Sequence, residues 1–105
     1  MMDVIFVYIT MNSLDEARRI GRALVEERLA ACVNLIGGMA SIYRWQDAVE
    51  EAQEVVMIAK TRADLFDRLE TRVKELHSYN CPCIVALPVS AGHAPYLEWI
   101  RSGTQ

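Results

Sequence analysis

The 105-residue sequence lacks the features of a membrane or secreted protein. No apolar run approaches the roughly 18 residues of a membrane-spanning helix. The opening Met1-Met2-Asp3 precedes a short apolar stretch without the basic segment or cleavage site of a signal peptide. Three cysteines cannot all pair within one chain, which argues against a disulfide-stapled domain. We therefore expect a cytoplasmic protein with reduced thiols and no direct membrane contact.

Sequence motifs for catalysis are also missing. The chain has no glycine-rich phosphate loop, no H-E-x-x-H, no C-x-x-C and no serine in a G-x-S-x-G context. Its net charge of −3, from 14 acidic and 11 basic residues, does not supply the basic face that nucleic acid requires. We expect neither an enzyme nor a nucleic-acid-binding protein.

Apolar residues, by contrast, are abundant and make up 52% of the chain. A domain of this size buries only about two-thirds of the surface that its unfolded chain exposes. Part of this apolar surface is expected to lie against another chain, so the composition favours a homo-oligomer. No linker, repeat or low-complexity segment divides residues 1–105, which we interpret as one domain.

The hydrophobic periodicity predicts a β-α-β-β-α-β order with a further C-terminal helix. Ser13 and Glu16 form a capping-box pattern that opens the first helix, and a similar pattern begins at Thr61. This order defines an α+β fold of the ferredoxin-like, split βαβ type. The predicted strands cover 4–10, 31–45, 49–60 and 83–89, and the predicted helices cover 13–29, 61–76 and 96–101.

The two central strands form an unusually long hairpin. Its arms of about 12 to 15 residues reach on the order of 40 Å, whereas the outer strands have only about seven residues. Half of the hairpin therefore lacks a partner strand, and it carries Tyr43 and Trp45. An exposed strand edge with aromatic side chains is a template for another chain. The alternative is that the hairpin curls back onto its own body at a bulge formed by Gly37 and Gly38.

His77, Cys81 and Cys83 form the most suggestive set of metal ligands, because imidazole and thiolate suit copper and zinc. The alternative is that Cys83 is a small buried apolar residue and Cys81 merely ends a loop. Lys60 precedes the predicted helix start at Thr61, an arrangement that can hold an anion. An ordinary lysine at a strand end is the competing interpretation.

Six segments together resemble the CutA family of divalent-cation-tolerance proteins. Their order and spacing match from about Val4 to Ile100. The segments are Leu29-Ala30-Ala31-Cys32-Val33-Asn34, Ser41-Ile42-Tyr43-Arg44-Trp45, Glu54-Val55-Val56-Met57-Ile58-Ala59-Lys60-Thr61, Leu76-His77-Ser78-Tyr79 with Pro82, Ala86-Leu87-Pro88-Val89 and Tyr96-Leu97-Glu98-Trp99-Ile100. The resemblance implies a tight homotrimer similar to the PII signalling proteins, a response to metal ions, and Cu(II) or another divalent metal as ligand. It implies no reaction.

The chain departs from the family pattern at the copper site. Ile9 stands where the enteric-type pattern has a cysteine, and of two adjacent histidines only His77 is present. Cys81 and Cys83 replace what are commonly valine and glutamate, which favours a softer metal. In the hairpin turn, Asp47 stands in the usual place of a glycine, in a left-handed conformation that aspartate tolerates.

The resemblance also implies an intersubunit cleft as the ligand site. It would be lined by Asn34, Trp45, Lys60, Thr61, His77 and Tyr79. Three functions follow as hypotheses: a trimeric metal-response protein, a PII-like sensor of a small anionic metabolite, and an assembly module that anchors another protein through the trimer surface.

Overall fold

The structure, a computed structural model, describes residues 3–105 and has the predicted order of elements. The α+β, ferredoxin-like prediction is confirmed. The strands are β1 (Val4–Met11), β2 (Cys32–Trp45), β3 (Ala48–Arg62) and β4 (Ile84–Pro88). The helices are α1 (Leu14–Glu26), α2 (Phe66–Leu76) and α3 (Ala94–Ser102), with a 3₁₀ turn at Ala63–Leu65 before α2.

The four strands form one antiparallel sheet in the order β2-β3-β1-β4. Successive residues of a strand point to opposite faces, so alternate residues of β1 and β3 enter the core beneath α1 and α2. The buried core contains Ile5, Val7, Ile9, Met11, Ala17, Ile20, Leu24, Val55, Met57, Ala59, Leu69 and Val73. The opposite face carries Phe6, Tyr8, Ile58 and Lys60 and is covered only in part, by α3.

Helix α1 begins as predicted but ends earlier. The backbone N–H of Glu16 donates to Ser13 Oγ at 3.2 Å, so Ser13 caps the helix. The predicted end at Leu29 is wrong, because Arg28 adopts a left-handed conformation with φ 61°. The N–H groups of Leu29 and Ala30 then turn back to the carbonyl of Leu24 and close the helix.

The predicted helix start at Thr61 is also wrong. Thr61 and Arg62 continue β3, because both still pair with β1, opposite Ile5 and Val4. The hydroxyl of Thr61 donates to the carbonyl of Leu29 at 2.7 Å and therefore caps no helix. Tertiary pairing overrides the local capping pattern here.

The central hairpin is continuous from Cys32 to Arg62 apart from a register shift between Ile36 and Met39, which confirms the predicted bulge. Gly38 has φ 75°, a conformation that glycine adopts without strain. At the far end, Gln46 and Asp47 have φ 50° and 66°, as in a two-residue turn with left-handed central residues. None of the helices between residues 3 and 105 is both long and apolar enough to cross a membrane.

Candidate functional site

The segment between α2 and β4, residues 77–83, is held to the body through His77. The imidazole side chain is fully buried, with 0% exposure. Its Nε2 lies 2.8 Å from the carbonyl oxygen of Thr10, and the backbone N–H of Tyr79 donates to Nδ1 at 3.0 Å. A carbonyl only accepts and an amide N–H only donates, so the ring is the neutral tautomer with its proton on Nε2. Both ring nitrogens are therefore occupied by backbone groups.

A second set of hydrogen bonds joins the same segment to the start of α1. Glu16 is only 8% exposed, and its carboxylate accepts from the backbone N–H of Ser78 at 2.7 Å and from Ser78 Oγ at 3.1 Å. Burial by itself raises the pKa of Glu16, but the hydrogen bonds from Ser78 and from the backbone of Asn12 act in the opposite direction, and the pKa lies below its usual value. The carboxylate thus stays charged and tied to Ser78.

A third tie runs to the hairpin. The hydroxyl of Tyr79 donates to the carboxylate of Glu54 at 2.9 Å, and Glu54 lies opposite Met39 just beyond the bulge. Burial, the hydrogen bond and the charge of Glu54 raise the pKa of Tyr79 to about 12. The ring of Tyr79 also packs against His77 with centroids 4.7 Å apart. The segment is therefore linked to α1, β1 and β3 at once.

The three predicted metal ligands are close in sequence, but their side chains differ in exposure and do not form one open group of donors. Cys81 is exposed and Cys83 is half-buried, and both are free thiols. His77 faces inward with no free lone pair. Among residues 3–105, no three His, Cys, Asp or Glu side chains are grouped closely enough to hold a metal ion. A metal role for His77 stays a prediction, and the geometry does not fit it unless the ring leaves Thr10 and Tyr79.

Lys60 lies on the face of the sheet away from α1 and α2. It pairs with Phe6 on β1 and with Cys32 on β2. Its Nζ donates to the hydroxyl of Tyr96 at 3.1 Å and lies 5.4 Å from the ring centroid of Phe6. Tyr96 is itself stacked on Trp99, with centroids 5.6 Å apart. Lys60 is therefore held in an aromatic pocket under α3, with further N–H donors that the protein leaves free.

The other predicted cleft residues lie apart from one another within the subunit. Thr61 is fully buried on the helix side, so its side chain offers no surface to a ligand in one subunit, and its binding role stays a prediction. Asn34 is exposed on the same face as Lys60, opposite Ile58. Trp45 stands at the far end of the hairpin with 59% exposure. One subunit does not bring these residues together.

Sequence reasoning missed two contributors to these sites. Glu16 fits the capping-box pattern so well that its side chain was assigned to the helix start, whereas the structure turns it toward Ser78. Tyr96 follows Pro95 at the start of a helix and carries no motif of its own. Only the packing of α3 across the sheet brings it to Lys60.

Comparisons with known proteins agree on one family. The sequence profile of the CutA1 divalent ion tolerance protein matches residues 5–103. The divalent-cation tolerance protein CutA of Thermus thermophilus is 53% identical over 93% of this chain and 95% of its own length. The chloroplastic CutA 1 of Oryza sativa is 39% identical over 96% of this chain, which spans 57% of that longer protein.

Solved structures show the same similarity. The Thermus thermophilus divalent cation tolerance protein has a TM-score of 0.95 at 51% identity, covering 97% of this chain and 99% of that one. A structure described as the periplasmic divalent cation tolerance protein CutA of Archaeoglobus fulgidus has a TM-score of 0.94 at 42% identity, with the same coverage.

Proposed function

Because the chain belongs to the CutA1 family of divalent ion tolerance proteins, we propose that it is a homotrimeric, copper-binding member without enzymatic activity. The free thiols of Cys81 and Cys83 fit a reducing compartment, and we place the protein in the cytoplasm. The observation that carries the trimer is a large apolar surface that one subunit leaves uncovered.

The uncovered surface begins on the open face of the sheet. Ile36 on β2 and Val85 and Leu87 on β4 are each at least half exposed. A second set of exposed apolar side chains lies on the opposite face of the outer hairpin, where Ile42 is 70% and Val49 is 68% exposed. Exposed apolar patches on soluble proteins mark interaction sites, so both sets are candidates for contact with another copy. Since β2 and β4 are also the two free edges of the sheet, both strand pairing and apolar packing are available to a second copy.

Light scattering coupled to gel filtration tests the assembly. We expect a mass of three times the 11.9 kDa subunit. Ile42→Asp places a charge in the uncovered surface and should lower the mass. Val25→Asp changes an exposed apolar residue on α1 and serves as the matched control, which should leave the mass unchanged. A wild-type monomer at micromolar concentration, or equal effects of both variants, would refute the proposed trimer.

Thiol chemistry supports copper as the metal. Thiolates are soft ligands, and this chain places two of them around Pro82 on an accessible segment. Elemental analysis of protein purified without an affinity tag, from cells grown with added copper, tests the proposal. Copper bound to the wild type is the expected result, and copper-free protein would refute the proposal.

A second candidate function is the binding of a small anion at Lys60. The ammonium group lies against the rings of Phe6 and Tyr96 and keeps N–H donors beyond its bond to the Tyr96 hydroxyl, on the sheet face that also carries Asn34. A thermal-shift screen with nucleotides and carboxylates tests this function. A stabilising ligand should lose its effect in Lys60→Met but keep it in Lys74→Met, an exposed lysine on α2. No response to any anion would count against it.

A further inference from the structure

The segment 77–83 contains three soft or borderline donors, but the structure separates them into two groups. The ring of His77 is buried and both of its nitrogens are engaged by Thr10 and Tyr79. The thiols of Cys81 and Cys83 are free, and Cys81 is exposed. The donor set that is open to a metal ion in one subunit is therefore a pair of thiols.

The backbone of this pair is restrained. Pro82 fixes its own φ near −65° and restricts Cys81 to extended conformations. Two residues of extended chain span about 6.6 Å, and side chains at positions i and i+2 of such a chain point to the same side. The segment is also anchored at both ends, by Tyr79 on Glu54 and by the pairing of Ile84 with Ile9. This spacing thus favours a common side for the two thiols, on a segment whose ends are fixed.

The number of donors decides which metals fit. Zn(II) in protein sites takes four ligands, three of them or more from the protein. Among residues 3–105 no third His, Cys, Asp or Glu side chain completes such a set. Two thiolates without further ligands suit a soft monovalent cation that accepts two-coordinate geometry, of which Cu(I) is the biological example.

We propose that Cys81 and Cys83 bind one Cu(I) ion per subunit as a two-thiolate pair, with His77 outside the coordination sphere. This inference rests on the copper-binding part of the proposed function and names its oxidation state and ligands. Each thiol releases its proton to solvent as its sulfur–copper bond forms, and the ion arrives as Cu(I), so no electron is transferred. The role of His77 is to hold the segment, through Thr10 and Tyr79, in the shape that presents the two thiols.

The test is an anaerobic titration with Cu(I) in competition with a chromophoric Cu(I) chelator. Wild-type protein should take up one equivalent per subunit. Cys81→Ser and Cys83→Ser should each lose at least an order of magnitude in affinity. Cys32→Ser removes the third cysteine, on β2 and outside this segment, and should bind as the wild type does. Unchanged affinity in the Cys81→Ser, Cys83→Ser double variant overturns the inference.

X-ray absorption spectroscopy of the Cu(I) protein gives an independent readout. Two sulfur neighbours and no nitrogen neighbour are expected. A nitrogen neighbour, or 1:1 binding of Zn(II) tighter than that of Cu(I), overturns the inference. His77→Gln, checked for folding by circular dichroism, should keep the two-sulfur spectrum even if its affinity falls. If tag-free protein contains copper but the Cu(I) titration shows no binding to Cys81 and Cys83, this inference fails while the proposal of copper binding stands. If no copper binds at all, both fail.

Discussion

The two halves of the central hairpin share one ladder of strand pairing but differ in what covers them. In the base half, Val55, Met57 and Ala59 of β3 are buried beneath α1, between β2 and β1. In the outer half, from Met39 to Glu54, no residue is buried. Backbone pairing therefore continues where the core stops. An isolated two-stranded hairpin is at best marginally stable in water, so the outer half is the part of the fold that gains most from the proposed contact with another subunit.

The boundary between the halves coincides with the end of a neighbouring strand. β1 ends at Met11, opposite Val55, so β3 has no partner on that side beyond this point. The same position along the hairpin contains the bulge between Ile36 and Met39 and accepts the hydrogen bond from Tyr79 to Glu54. The hairpin therefore changes from a part of the core to an exposed arm within about two residues.

The largest expected effect is that of truncating a core side chain in the base half, with a truncation in the outer half as its counterpart. Met57→Ala leaves a cavity in the base half and should lower the free energy of unfolding by about 2–5 kcal/mol. Val49→Ala, in the outer half, should change the free energy of unfolding of a single subunit by less than about 0.5 kcal/mol. Guanidinium denaturation at several protein concentrations measures both. If the cost of Val49→Ala increases at protein concentrations where subunits assemble, Val49 is buried between subunits. Equal costs of the two variants at every protein concentration would contradict the comparison.

Glu16→Gln tests the hydrogen bonds between α1 and the segment 77–83. We expect a loss of about 2 kcal/mol at pH 7, because the bonds from Ser78 are made to a charged carboxylate. Since folding lowers the pKa of Glu16, this contribution is present above the unfolded value of about 4.3 and disappears as pH falls through the folded pKa.

Denaturation of the wild type and Glu16→Gln across the acid range measures this difference. Asp15→Asn, an exposed neighbour in the same turn of α1, is the control and should show a much smaller loss. A difference between wild type and Glu16→Gln that grows toward acid pH would contradict the assignment.

Tyr79→Phe removes the contact between the segment 77–83 and the outer half. The ring can remain against His77 while the hydroxyl bond to Glu54 is lost, at a cost of about 1 kcal/mol. Hydrogen exchange should show faster exchange for amides beyond the bulge and little change in the base half. Tyr43→Phe, whose hydroxyl makes no such tie, is the matched control. Uniformly faster exchange in both halves would remove the distinction between them.

A small gain in stability is expected from a change in the turn of the hairpin. Asp47 has φ 66°, so Asp47→Gly relieves the left-handed strain and should stabilise the hairpin by about 0.5–1 kcal/mol. Thermal unfolding of the protein measures the change. Ala48→Gly, one residue along in β3, should be destabilising instead. A loss of stability in Asp47→Gly would show that the aspartate side chain makes a stabilising contact of its own.

Elements with a strong local signal were predictable from the sequence. The cap at Ser13 rests on a side-chain oxygen that accepts from the first turn of the helix. The bulge at Gly38 and the turn at Asp47 rest on left-handed backbone conformations that few residue types favour. The start of α2 was not predictable, because a capping pattern at Thr61 competes with the pairing of β3 and β1. Where a local preference and a long-range pairing disagree, only the assembled sheet shows which one prevails.

For the candidate site the division is similar. The sequence alone determined the residue types, the family resemblance and the spacing of Cys81 and Cys83 around Pro82. Only the tertiary structure decided that His77 faces inward, that Glu16 binds Ser78 and that Tyr96 covers Lys60. The physical reason is that the direction of a side chain depends on partners distant in sequence. The partners of His77 and Glu16 lie 67 and 62 residues away.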